Sequence, residues 1–135
     1  MSTAERSLAQ RSLRPAVMFW AFSGLLGIPL LVFFDPFGGW KWEPQNPIYD
    51  QMIVSLYVTL GAFCLYALRK PLEHRLFLWF VVWSSVAHGA VMLFHALLDP
   101  MHRGHLLGDV WILSGALGLG IPLYWAGNPA PSELS

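Results

Sequence analysis

The chain has 135 residues, is 56% hydrophobic and only 12% charged, and carries no formal net charge. That length holds one domain at most, the charge is about half that of a soluble domain, and a neutral chain has no basic footprint for nucleic acid. The single cysteine, Cys64, excludes an internal disulfide framework and the cysteine pair that a thiol–disulfide oxidoreductase needs.

Residues 1–14 are polar, with Arg6, Arg11 and Arg14. The run from Pro15 to Phe34 follows, an apolar stretch long enough to cross a bilayer as a helix. Its basic prelude resembles that of a signal peptide. Its apolar run is too long for a signal core, however, and no small-x-small cleavage site follows, so a retained span is expected. Pro29 is expected to kink it. Asp35-Pro36-Phe37-Gly38-Gly39-Trp40 reads as a turn with an interfacial aromatic.

The second expected span covers about 48–68. Asn46-Pro47 reads as an N-cap followed by proline at the first helical position. Asp50 starts this helix, and Tyr57, Gly61 and Cys64 follow on its face. The third span, Leu76 to Leu98, has no Lys, Arg, Asp or Glu but contains His88 and His95. With Met92 between them and Asp99 after, spacings of 4, 3 and 4 place four side chains in a stripe roughly 60° wide. The fourth span, about 106–125, opens with His105 and Asp109 one turn apart. Residues 126–135 form a tail.

The expected fold is therefore all-α, a transmembrane domain over 15–125 with four helices running up-down-up-down. Arg6, Arg11, Arg14, Arg69, Lys70 and Arg75 fall on one side, and only Lys41 and Arg103 on the other. The positive-inside rule makes both termini cytoplasmic, in a multi-pass protein of a bacterial inner membrane. The imidazoles and carboxylates in or near the membrane, His74 and Glu73 excepted, then fall in the outer half. Ser85-x3-Gly89, Ser114-x3-Gly118 and Ala116-x3-Gly120 read as close-packing helix faces.

Three functional readings follow. In the first, a transition metal (zinc, copper or iron) is held by His95, Asp99, His105 and Asp109, because neutral imidazole and carboxylate suit these ions. His88, Met92 and His102 are further candidates, the first two as a second or transit position. Haem is disfavoured, since two histidines of one helix cannot sandwich one haem. In the second, Asp99, His95 and His88 form a proton path descending from the outer surface, joined by Asp50 and Tyr57, and serve a quinone. In the third, the chain is a non-catalytic accessory or assembly subunit, its buried histidines fixing helix register. Its partners are the bilayer and either other membrane subunits or copies of itself. No catalytic residue is assigned. Each polar residue also has a plainer role. His88 can join helices by a hydrogen bond, Asp50 can help cap its helix, and His95 with Asp99 can form a helix-terminal ion pair.

Tyr49-Asp50-Gln51-Met52 and Trp83-Ser84-Ser85-Val86-Ala87-His88-Gly89-Ala90-Val91-Met92 resemble a family of small bacterial four-helix membrane proteins of unknown function. The resemblance covers about 15–125 and implies the fold but no activity.

Overall fold

A computed structural model describes residues 3–34, 46–98 and 106–127. All regular structure among them is helical, and four helical stretches are long and apolar enough to cross a membrane. The elements are α1 (Thr3–Phe22), a π-helical turn (Ser23–Gly27), α2 (Ile28–Phe34), α3 (Pro47–Ala67), a 3-10 turn (Pro71–His74), α4 (Arg75–Leu98) and α5 (Leu106–Gly127).

The first helix begins at Thr3, well before Pro15, which sits inside it. Residues 9–17 explain why. Ala9, Leu13 and Val17 recur at helical spacing and are all buried, while Arg11 and Arg14 are exposed. The helix is therefore continued by an apolar stripe rather than stopped by its charges. The irregularity expected at Pro29 takes the form of the π turn just before it. Proline has no N–H for the Leu25 carbonyl and its ring crowds that carbonyl. The Ile28 N–H instead reaches back five residues to the Ser23 carbonyl.

Asn46 caps α3 as expected. Its side-chain oxygen accepts from the Ile48 N–H at 3.1 Å and the Tyr49 N–H at 3.3 Å, with Pro47 next in line. Asp50 lies in the first turn, where a carboxylate favours the positive end of the helix dipole. Between α3 and α4 the chain turns tightly. Pro71 opens the 3-10 turn, and the Lys70 ammonium donates to the Glu73 carboxylate at 2.8 Å.

Cross-helix contacts make α1 antiparallel to α5, α3 to α4, and α4 to α5. The Trp20 indole donates to the Gly115 carbonyl at 3.1 Å, and the Trp111 indole to the Ser23 hydroxyl at 3.3 Å. Residue numbers rise along α1 as they fall along α5. Tyr57 with His88, and Phe63 with Phe77, show the same for α3 and α4. Arg75 at the start of α4 donates to the Gly127 carbonyl at the end of α5, 3.0 Å away. A cation there stabilises the negative end of α5, whereas it would oppose the positive end of its own helix.

The packing is uneven. α1 packs closely on both α3 and α5, and α4 packs closely on α5. α3 and α4, although consecutive, are not among the closely packed pairs. The core gathers Leu13, Val17, Trp20 and Ala21 with Cys64, Ala67, Leu78, Val81 and Val82, closed by Ile112, Ala116, Leu119 and Leu123. It lies toward the Arg75 end of the bundle.

Glycines set the closest approaches. A Cβ on Gly61 would stand 2.9 Å from the Ala21 carbonyl oxygen, and one on Gly24 would collide with the Tyr57 carbonyl. The α1–α3 crossing is thus a backbone-to-backbone contact that only glycine permits, as in other small-residue helix crossings. This corrects the placement of Gly61 and Cys64 on a polar face with Asp50. Both are buried, Gly61 against α1 and Cys64 in the core. Two of the three expected small-residue faces do pack. Gly89 lies against Leu113, and Gly120 against Val82. Ser114 and Gly118 do not: both are exposed, and a Cβ on Gly118 would meet nothing within 4 Å. Spacing alone cannot distinguish an inward stripe from an outward one.

Candidate functional site: a cleft between α3 and α4

Between α3 and α4, at the His95 end, lies a cleft of about 400 Å³. Its α3 wall is Asn46, Tyr49 and Asp50, and its α4 wall is His88, Val91, Met92 and His95. The α4 lining follows from periodicity, since residues 88, 91, 92 and 95 share one face of a helix. The α3 lining is the cap and first turn of its helix, exposed at the mouth. Beside the cleft the Tyr57 ring meets the His88 imidazole edge-on, with ring centroids 6.2 Å apart and planes at 85°. At the mouth Phe94 stands edge-on to His95 at 5.7 Å and 79°.

Burial grades along the cleft. His88 and Met92 are half-buried, His95 is exposed, and Asp50 is half-buried opposite them. The lining alternates in kind. An imidazole at each end of the α4 wall brackets the apolar Val91 and Met92. Across the cleft, Asp50 and Asn46 supply oxygen acceptors, and Asn46 an amide donor. Such a site can grip the two polar ends of a flat molecule while packing on its face.

The sequence-predicted residues divide accordingly. His88, Met92, His95 and Asp50 do line one site, and the Tyr57 ring stands against His88. Asp99, His102 and His105 lie outside the described residues, as does the side chain of Asp109. Among the described residues no three His, Cys, Asp or Glu side chains gather as a metal set. Asn46 does the capping, and Asp50 faces the cleft. Three lining residues are not read as such from the sequence: Tyr49, Val91, and Asn46, which is expected only as a cap. The available signal was the stripe itself, because Asn46, Tyr49 and Asp50 fall within one turn, and Val91 adjoins Met92.

Comparison with curated proteins and with solved structures gives no match. Residues 9–125 match the family of unknown function DUF6632, and the chain belongs to that family.

Proposed function

We propose that this is a multi-pass protein of a bacterial inner membrane, both termini cytoplasmic, whose cleft in the outer half binds the ring of a quinone-type amphiphile. The membrane reading is supported by the outer surface of the bundle. Leu26, Leu30, Phe63, Phe80, Trp83, Leu97, Leu117 and Ile121 are each at least 49% exposed, on every helical stretch, which a water-facing surface would not tolerate. Hydroxyls are tied back to helix carbonyls, Thr59 to Ser55 at 2.8 Å and Ser114 to Trp111 at 2.8 Å. Such back-bonding suits a solvent that offers no hydrogen bonds. The side assignment rests on the six basic residues at one side against two at the other.

The observation that carries the ligand reading is the cleft lining. Histidines within a span are costly unless they face protein, water or ligand. His88 and His95 sit about 10 Å apart along the axis of α4. That span is about two hydrogen bonds of about 2.8 Å plus a six-membered ring with oxygens at opposite ends. Val91 and Met92 lie between, where the ring face would rest. Histidine can also exchange the proton that a quinol carries. A metal held by His95, Asp99, His105 and Asp109 is the second reading, supported by the short link between α4 and α5. An accessory-subunit role is the third, supported by the outward Ser114 and Gly118, where another helix can approach closely.

The test is photolabelling of the purified chain with an azido-quinone, followed by peptide mapping. Label on α3 and α4 within the cleft, lost in His88→Leu, is the expected result. Label spread over the lipid-facing surface, unchanged by the substitution, defeats the quinone reading. Metal analysis of wild type beside a His95→Ala, His105→Ala variant runs in parallel. Stoichiometric metal lost in the variant would replace it with the metal reading.

A further inference from the structure

The second site lies at the opposite end of the bundle, and it rests on the membrane-spanning part of the reading above. Leu13, Ala67 and Leu123 share one core cluster, and α1 and α5 both touch the Pro71–His74 turn. Arg11 and Arg14 flank Leu13, Arg69 and Lys70 follow Ala67, and Arg75 is bonded to the end of α5. Every lysine and arginine whose side chain is described therefore lies at this one end. Glu73 is the one carboxylate there whose side chain is described, and it is engaged by Lys70 at 2.8 Å. Arg75 is committed to the Gly127 carbonyl. Arg11, Arg14 and Arg69 remain exposed, with no ion pair to any carboxylate whose side chain is described.

We propose that this end is a docking face for anionic phospholipid headgroups, with Arg11, Arg14 and Arg69 as the phosphate-gripping residues. A guanidinium presents paired N–H donors that match phosphate oxygens and stays charged at any physiological pH. Arg11 and Arg14 stand on α1 and Arg69 on the turn after α3, which would lie at headgroup depth, so one or two lipids can bridge them. A zwitterionic headgroup carries its own cation and answers only part of this charge. Charge complementarity therefore selects lipids with net negative charge.

The full-length chain is reconstituted into vesicles of phosphatidylcholine alone or mixed with phosphatidylglycerol. Retained lipid is then counted by native mass spectrometry. Phosphatidylglycerol should be retained in preference. Each of Arg11→Gln, Arg14→Gln and Arg69→Gln should reduce that preference about fivefold. Glu73→Gln, which releases Lys70, should increase it. The preference should fade at 1 M salt, where the screening length is about 3 Å. Equal retention of both lipids, or a triple arginine variant indistinguishable from wild type, overturns the proposal. Equal stabilisation of the detergent-solubilised chain by free glycerol phosphate would make this a soluble-anion site and overturn it too. Failure to insert into either vesicle would instead defeat the membrane reading, so the two failures are told apart.

Discussion

The α1–α3 seam and the α3–α4 cleft use the same helix for opposite ends. On its α1 side, α3 offers Gly61, and the two backbones touch. On its α4 side it offers Tyr57 and Asp50, and the backbones stay apart. A membrane helix gains little by burying apolar side chains, since lipid is as apolar as they are. Close packing through small residues is what binds helices there. Where large polar side chains replace glycine, that attraction is given up and a space remains.

The comparison breaks most visibly at the tightly packed side. Trp20 is 2% exposed and its indole holds the Gly115 carbonyl. Trp20→Ala should cost about 3–5 kcal/mol through the cavity and the lost bond, read as denaturant or thermal unfolding in detergent. A cost below about 1 kcal/mol would mean that α1 and α5 are not joined there.

A glycine series sharpens it. Gly24→Ala and Gly61→Ala push a methyl into backbone, which cannot yield, and should cost about 1–3 kcal/mol each. Gly89→Ala meets only the flexible end of Leu113 and should cost less. Gly118→Ala meets nothing and should be neutral or stabilising, by up to about 1 kcal/mol from helix propensity. The same ranking is measurable by thermal melts. A reversal, with Gly118 the most sensitive, would place a partner helix on α5.

On the cleft side, His88→Leu should change stability by no more than about 0.5 kcal/mol while abolishing photolabelling. A large loss of stability instead would make His88 a structural joint, as its contact with Tyr57 permits.

The smallest effect lies in the turn that joins the two walls. The hydrogen bond to Glu73, then its negative charge, hold the Lys70 ammonium above the usual lysine range. A raised folded-state value adds stability that is complete below the unfolded value near 10.5 and is lost as pH rises through the raised one. Both groups are exposed, so the effect should show in an NMR titration of Lys70, not in a melt. Glu73→Gln should return the titration toward the ordinary range.

The sequence by itself determined the number of long apolar stretches, their helical character, the Asn46 cap and the short link between the second and third of them. Each of these depends on local composition: apolar length, proline position, cap chemistry. It also placed His88, Met92 and His95 on one stripe, because helical periodicity follows from the residue count. The tertiary structure alone decided which stripe faces which neighbour. Gly61 and Ser85 turn inward while Ser114 and Gly118 turn outward, although their local patterns look alike. The outer faces of these helices are as apolar as the core, so hydropathy carries no signal of direction. For the same reason the opening of α3 from α4 could not be read beforehand. It depends on where α1 and α5 hold their neighbours, which is a property of the whole bundle and of no single segment.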